Sequence, residues 1–161
     1  MEAIKEQEDK ELVVLGFILD DREYGFDVDD VYEVLRMVEI TPVPEAPAFL
    51  KGFIDLRGRI TSIIDLRSRL GLKPRAYDLS TPIIVVRVNN HYVGLVVESV
   101  SEVIRTTLKN VAGLTQDVPL PEKLFKGVLH HKDHLLLLFD LDELVTFEDR
   151  KVIKRIHESK K

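Results

Sequence analysis

FIDLRGRITSIID, residues 53–65, and VLHHKDHLLLLFD, residues 128–140, align without a gap over their whole length. Both stretches predict two short strands joined at a turn, and both turns carry a cation. The likeness continues upstream, where GFDVDDVYEVLR at 25–36 matches GLVVESVSEVIR at 94–105. The chain is therefore a duplicated unit of about seventy residues, and each copy is too small to bury a large core alone.

Strand signals dominate both copies. Short segments rich in β-branched and aromatic residues, bounded by Asp, Asn, Gly and Pro, predict strands. These segments are LVVLGFIL (12–19), YGFDV (24–28), RITSII (59–64), IIVVRV (83–88), YVGLVV (92–97) and HLLLLF (134–139). DLRSRLG, with an Asp65 N-cap and a Gly71 stop, and PEKLFKG, which ends at Gly127, predict short helical turns. About five antiparallel strands per copy are best closed into a small barrel, which leaves no free edge.

The predicted fold is all-β, with two similar five-stranded barrels, short helical turns and a C-terminal helix or tail. We expect a flexible acidic tail over 1–11, which carries five acidic residues against two lysines. The first barrel is expected over 12–80 and the second over 81–147. The offset between the copies is 69 residues from Gly25 to Gly94 and 75 from Val43 to Val118, so the six inserted residues just before Val118 should form a longer link. A basic tail or helix is expected over 148–161, which carries six Lys/Arg residues against three acidic ones.

Composition excludes several classes of protein. The chain has no cysteine, so disulfides, thiolate nucleophiles and cysteine-ligated metals are absent. Its formal net charge of −5 argues against duplex binding, which needs a basic face. The apolar runs at 12–19 and 135–139 are too short to span a bilayer, and the acidic N-terminus does not resemble a signal peptide. We therefore expect a cytoplasmic protein.

Only one group of residues resembles a metal site by its composition. His130, His131 and His134 lie over the second-copy hairpin, where neighbouring residues alternate faces. Apart from nearby Asp133, no carboxylate or cysteine stands at ligand spacing, so surface histidines are favoured over a metal site. The chain also lacks a nucleophile elbow, a phosphate loop and a nucleotide fingerprint. We expect no catalytic residues, no metal and no cofactor.

The first-copy hairpin displays a charge. Gly58 supplies the positive φ of a tight turn, which holds Arg57 out on a rigid scaffold. Glu33 and Arg57 have same-charge counterparts, Glu102 and Lys132, in the second copy. An exposed ion pair contributes little to stability, so such a pair is more plausibly used to orient a contact surface. A merely solvated turn arginine is the alternative, and spacing alone leaves both open.

The sequence resembles the CheW family of chemotaxis coupling proteins. The first half contains YGFDVDDVYEVLRMVEITPVPEAPAFLKGFIDLRGRITSIIDLRSRLGL, with the ITPVP crossing, FLKG, LRG and the closing IIDLR. The second half adds VGLVVESVSEV and FKGVL followed by LLLLFDLDELV, so the resemblance covers about 12–147 and the whole chain is one CheW-like domain. Asp55 stands where the family usually has Asn, and Ser62 where it has proline.

This resemblance implies a non-enzymatic adaptor built from two SH3-like barrels. Such proteins couple the cytoplasmic tips of transmembrane methyl-accepting chemoreceptors to the histidine kinase CheA, by binding its CheW-like regulatory domain. They lie in the cytoplasm and are recruited to membrane-associated receptor arrays. In the family, receptor tips use the apolar groove between the barrels, and the kinase uses barrel ends.

The resemblance also assigns surfaces to this chain. Matching positions place a receptor-binding surface at Val31, Glu33, Arg57 and Gly58, with Val100 added from the internal repeat, and a kinase-binding surface at Gly52. No nucleic-acid partner and no direct membrane insertion are implied. A coupling protein of a pilus-motility or other chemosensory system is the alternative within the family. A small nucleic-acid-binding β-barrel is the alternative from another class, and the acidic charge weighs against it.

Overall fold

A computed structural model describes residues 9–113 and 122–145, which form two compact units. Among these described residues, unit 1 comprises those up to Asp30 together with those from Val100 to Leu144, and unit 2 comprises Val31–Ser99 together with Val145. The strands are β1 (Glu11–Leu19), β2 (Arg22–Asp27), β3 (Val31–Arg36), β4 (Leu50–Leu56), β5 (Arg59–Asp65), β6 (Pro82–Val88), β7 (His91–Val96), β8 (Ser99–Thr107), β9 (Val111–Ala112), β10 (Phe125–His131) and β11 (His134–Phe139). Two short helices, α1 (Leu66–Arg69) and α2 (Leu141–Leu144), follow β5 and β11. Single 3₁₀ turns cover Val28–Asp30, Leu108–Asn110 and Glu122–Leu124.

Each unit is built on one sheet, and the two sheets have related pairings. The strand order is β8-β1-β2-β11-β10-β9 in unit 1 and β3-β6-β7-β5-β4 in unit 2. In unit 1 β2 and β11 pair in parallel, and in unit 2 their repeat counterparts β7 and β5 do the same. The hairpins β10–β11 and β4–β5 are antiparallel in both units. The internal repeat is therefore present in the strand pairing as well as in the sequence.

The compact units differ from the sequential division at residues 80 and 81 that the repeat suggested. Unit 1 takes β1 and β2 from the first copy and β8 to β11 from the second, and unit 2 takes the remaining strands of both. The two chain crossings, after Asp30 and after Ser99, are repeat counterparts. Both copies carry the same strand pattern. A unit built from one copy alone and a unit that combines strands of both copies would therefore make the same kinds of strand pairing. Local sequence signals do not distinguish them.

Alternation along the strands supplies the cores. In unit 1 one cluster consists of Leu12, Val14, Ile104, Leu129, Leu136 and Leu138. Alternate positions contribute a second group of stacked rings: Phe17, Tyr24, Phe26, Phe125 and Phe139. The core of unit 2 consists of Ile54, Ile63, Ile83, Val85, Tyr92 and Val96. These clusters pack against the β4–β5 and β10–β11 hairpins and keep them rigid. The tips of these hairpins carry Arg57 and Lys132.

Most local predictions are confirmed. All six strand segments named from the sequence are strands, and the bounds of β11 agree at both ends. Asp65 caps α1 by accepting a hydrogen bond of 3.1 Å from the Ser68 N–H, and Gly71 follows at φ 76°. The strands β3 and β8 were not among the predicted segments, because polar and charged residues interrupt the apolar ones in VYEVLR and SVSEVIRTT. The expected C-terminal helix and tail and most of the link before Val118 lie outside the described residues, as does most of the N-terminal tail.

Candidate functional surface

The β4–β5 hairpin ends in a two-residue turn. Leu56 pairs with Arg59, and the residues between them, Arg57 and Gly58, have φ of 52° and 82°. Two positive φ values in succession are typical of the type I′ turn, which matches the twist of the flanking strands. The Gly58 N–H also donates to the Asp55 carboxylate at 2.7 Å, which fixes the turn from its strand side. Asp55, which stands where the family usually has Asn, therefore fixes the backbone of the turn.

The turn places Arg57 against β3. The Arg57 guanidinium donates to the Glu33 carboxylate, and their side chains are 65% and 25% exposed. Hydrogen bonding to Tyr32, followed by the charge and hydrogen bond of Glu33, raises the pKa of Arg57 above its ordinary value. The predicted meeting of Arg57 and Glu33 is confirmed. The arginine stays charged at every accessible pH and remains largely open to solvent.

Aromatic rings and further guanidinium groups surround this ion pair. The rings of Tyr32 and Tyr92 meet edge to face, with centroids 4.6 Å apart. The Arg59 guanidinium lies over the Tyr92 ring at 4.1 Å, and that of Arg87 lies 5.9 Å from the Tyr32 ring. Cation–π contacts of this kind hold arginine side chains in place. We call Tyr32, Glu33, Arg57, Arg59 and Arg87 the Arg57 surface.

The two tyrosines, Arg59 and Arg87 were not predicted from the sequence as site residues. In the structure, Tyr32 and Val34 alternate with less exposed residues along β3 and are 42% and 43% exposed. An outward-facing tyrosine beside a displayed arginine is typical of a contact surface. Arg87 is the one exposed residue in an otherwise buried β6.

The remaining predicted receptor-surface residues are divided between the units. Val31 and Glu33 lie on β3, and Gly58 lies at the hairpin tip, so unit 2 holds these three together with Arg57. Val100 lies on β8 in unit 1 and is 36% exposed. Within unit 2 the structure joins Glu33 and Arg57 directly.

Gly52, the predicted kinase-surface residue, has a packing role. It is buried in β4 with φ 141°, a conformation that side chains rarely adopt. A Cβ at this position would lie 2.0 Å from the Thr41 carbonyl oxygen, because Thr41 forms a β-bridge with the adjacent Phe53. Any larger residue would push the Thr41 segment away from β4.

Comparison with known proteins agrees with this architecture. The CheW-like domain family model matches residues 13–149. The chain belongs to the CheW family. The chemotaxis protein CheW of Thermotoga maritima is 35% identical over 136 residues, which covers 84% of this chain and 89% of that one. The chemotaxis protein CheW of Klebsiella aerogenes is 31% identical over 146 residues, 90% of this chain and 88% of that one.

A solved structure shows the same fold. The crystal structure of the scaffolding protein TtCheW from Thermoanaerobacter tengcongensis matches with a TM-score of 0.77 and 30% identity, and the match covers 86% of this chain and 90% of that one. The predicted all-β fold of two SH3-like subdomains is confirmed, and so is membership of a chemotaxis scaffold family. None of the described helices has the length and apolar character needed to cross a bilayer.

A charged cavity lies at another position of unit 2 of this CheW-like chain. Glu98 accepts from the guanidinium of Arg67 and pairs with Arg75 at 3.0 Å. Asp65, which is buried and also lines the cavity, accepts from the Tyr77 hydroxyl as well as capping α1. Burial, followed by the hydrogen bond and charge of Asp65, raises the pKa of Tyr77 above its ordinary value. These charges pair with each other, so the network is suited to fixing the loop after α1.

The histidines of the β10–β11 hairpin separate as their spacing suggested. His130 is exposed, whereas the His131 and His134 rings meet edge to face at 5.6 Å. Two carboxylates that are distant in sequence join them: Glu23 lies 2.8 Å from His134 Nε2, and Glu102 lies 3.5 Å from His131 Nε2. Apart from Asp133, the sequence places no carboxylate near these histidines, because Glu23 on β2 and Glu102 on β8 reach the hairpin only in the folded chain.

Proposed function

We propose that this chain is a non-enzymatic chemotaxis adaptor that couples the cytoplasmic tips of transmembrane chemoreceptors to the histidine kinase CheA. It would act in the cytoplasm, recruited to membrane-associated receptor arrays. Membership of the CheW family supports the scaffold role, and the solved relative TtCheW is itself described as a scaffolding protein. The partners are those that the family resemblance implies.

The Arg57 surface carries this proposal. Arg57 stands at a family signature position, at the tip of a hairpin whose turn is fixed by backbone conformation and by Asp55. Its ion pair with Glu33 orients the guanidinium while leaving 65% of the side chain exposed. A pre-ordered arginine beside tyrosines loses little conformational freedom on binding, and Arg and Tyr are enriched among the residues that contribute most to binding. This surface is suited to recognition rather than covalent chemistry.

We assign the receptor tip to the Arg57 surface, with Val31, Gly58 and Val100 as further contacts. The CheW-like regulatory domain of the kinase is assigned to a different surface that includes the segment around Gly52. Because Gly52 is buried, its contribution is indirect: it lets Thr41 approach β4 and so shapes the exposed residues nearby.

The test measures two affinities of each variant, one for a receptor tip fragment and one for the kinase regulatory domain. Arg57→Ala should weaken receptor binding at least about tenfold, as expected for a central interface arginine, and should change kinase binding much less. Lys132→Ala is the matched control, since Lys132 occupies the same hairpin position in the second copy and is exposed with φ 51°. It should leave both affinities near wild type.

Three outcomes would contradict the proposal. Normal binding of both partners by Arg57→Ala would make Arg57 a solvated turn residue. Equal loss of both affinities would place the two partners on one surface. Failure of the wild-type chain to bind either partner would overturn the adaptor role itself.

A further inference from the structure

One polar group in unit 1 is outside the proposed function. Glu23 of β2, Glu102 of β8 and His134 of β11 each offer a ligand atom, and these atoms all lie within 4.8 Å of one another. His134 Nε2 is 2.8 Å from a Glu23 carboxylate oxygen and 3.9 Å from one of Glu102. Three separate strands therefore direct nitrogen and oxygen ligands to one point.

The group lies at the end of the unit 1 core. Residues two apart on a strand face the same side, and Ile104 and Leu136, each two positions beyond Glu102 and His134, belong to that core. Glu23 is likewise two positions before Gly25, where a Cβ would meet core residues Val14 and Leu138. The three ligands thus continue the inward faces of their strands to the point where the core opens to solvent.

A glycine makes room for the group. A Cβ on Gly16 of β1 would lie 2.6 Å from the Ser101 hydroxyl and 3.1 Å from the Glu23 carboxylate. With no side chain there, the Ser101 hydroxyl donates to Glu23 at 3.0 Å. Hydrogen bonds of this kind orient ligating carboxylates in metal sites. The glycine and the serine together hold Glu23 toward His134.

Unit 2 shows how different this group is from its repeat counterpart. Val85 stands at the counterpart position of Gly16, and Tyr92 and Arg59 stand at those of Glu23 and His134. There the arginine lies over the tyrosine ring, at 4.1 Å from its centroid. Glu33 stands at the counterpart position of Glu102 and pairs with Arg57. These strand positions therefore carry a tyrosine, an arginine and one carboxylate in unit 2, and two carboxylates and an imidazole in unit 1.

In the part of the chain that the structure describes, no lysine or arginine forms an ion pair with Glu23 or Glu102. Within residues 9–113 and 122–145, the ion pairs of Glu23 and Glu102 are made with His134 and His131 alone. Two carboxylates and an imidazole nitrogen directed to one point are suited to binding a divalent cation.

We propose that Glu23, Glu102 and His134 form a binding site for a divalent transition-metal ion, best matched by Zn²⁺. Imidazole and carboxylate ligands suit zinc, which binds them at about 2.0–2.2 Å, usually with four ligands in tetrahedral array. Those bond lengths require ligand atoms about 3.4 Å apart, and the two distances from His134 Nε2, 2.8 and 3.9 Å, lie on either side of that value. Water would complete the fourth position, and His131, whose Nε2 lies 3.5 Å from the same Glu102 oxygen, would orient that carboxylate.

The test is to titrate the untagged chain with zinc chloride. Calorimetry measures zinc binding, and thermal melting measures its effect on stability. We expect saturable binding of one zinc ion and a melting temperature that rises with zinc concentration, because the ion binds only the folded arrangement. Glu23→Gln and His134→Ala should each weaken zinc binding at least about tenfold and remove the zinc-dependent rise. His130→Ala is the matched control, since this neighbouring histidine is exposed and stands outside the group.

A His130→Ala chain should bind zinc like wild type. Absence of saturable zinc binding by the wild-type chain would overturn the proposal. So would unchanged zinc affinity in both Glu23→Gln and His134→Ala. Circular dichroism of each metal-free variant separates loss of a ligand from loss of the fold, and Glu23→Gln, which keeps the side-chain shape, serves if His134→Ala fails to fold. None of these outcomes depends on receptor or kinase binding.

Discussion

Arg57 and Glu33, 24 residues apart in the chain, form an ion pair that joins the tip of the β4–β5 hairpin to β3. The two strands are the edges of the unit 2 sheet in its strand order, so the pair connects elements that share no backbone ladder there. It is largely exposed on the arginine side and half-buried on the glutamate side. This geometry orients a charge with little contribution to the core.

Arg57→Ala should therefore leave the fold almost unchanged. Exposed ion pairs contribute little to stability because water and salt screen them, so we expect the melting temperature to stay within about 4 °C of wild type. Ile63→Ala is the contrasting variant, since Ile63 is fully buried in the same sheet and its truncation should cost about 2–5 kcal/mol. A large loss of stability in Arg57→Ala would make Arg57 a structural residue.

Gly52 and Gly58 should respond differently to alanine. At Gly58 a Cβ meets no atom within 4 Å, so Gly58→Ala should cost only about 1–2 kcal/mol for its positive φ. At Gly52 a Cβ would lie 2.0 Å from the Thr41 carbonyl oxygen, and the cost should exceed about 3 kcal/mol. Urea denaturation of both variants measures the difference. Equal costs would show that the Thr41 segment moves freely.

Tyr77→Phe should destabilise unit 2. The Tyr77 hydroxyl donates to Asp65, which is only 3% exposed, and removing the donor leaves a buried carboxylate with one partner fewer. We expect a cost of about 1–3 kcal/mol in urea denaturation near pH 7. Ser80→Ala, at an exposed position of the same loop, is the control and should cost much less. A Tyr77→Phe chain as stable as wild type would show that Asp65 is satisfied by its cap on α1 alone.

Asp30→Asn should stabilise the protein at neutral pH. Burial raises the pKa of Asp30 above its ordinary value, which the charges of Asp27, Asp142 and Asp29 reinforce and that of Lys126 opposes. A raised carboxyl pKa means that the folded state disfavours the ionised form of Asp30. The protonated carboxyl therefore contributes stability at low pH, and this contribution is lost as pH rises through the folded pKa. The asparagine side chain of Asp30→Asn stays neutral, so the variant does not lose this stability as pH rises.

We therefore expect a modestly higher melting temperature for Asp30→Asn at pH 7, and a difference that shrinks as pH falls below about 4. Melting curves across this range measure it. Asp9→Asn, at an exposed position before β1, controls for the change in net charge. A variant less stable than wild type at pH 7 would show that the Asp30 carboxylate makes a needed contact.

Local sequence determined the secondary elements and the hairpin tip. Alternating apolar residues set strands such as β11, Asp65 capped α1, and Gly58 allowed the turn that displays Arg57, because these effects operate over two to four residues. The duplication and the family signature could also be recognised from the sequence alone. These features needed no knowledge of which strands pair.

Tertiary structure decided which copy supplies each strand and which side chains meet. Both copies have the same period-two pattern, so each strand could pair within its own copy or with the other, and only the folded chain shows the exchange. Contacts that follow from it, such as Ser101 with Glu23, 78 residues apart, have no local signal. The carboxylate–imidazole group of unit 1 was hidden for that reason, since strand pairing specifies ligand neighbours only after the sheet has formed.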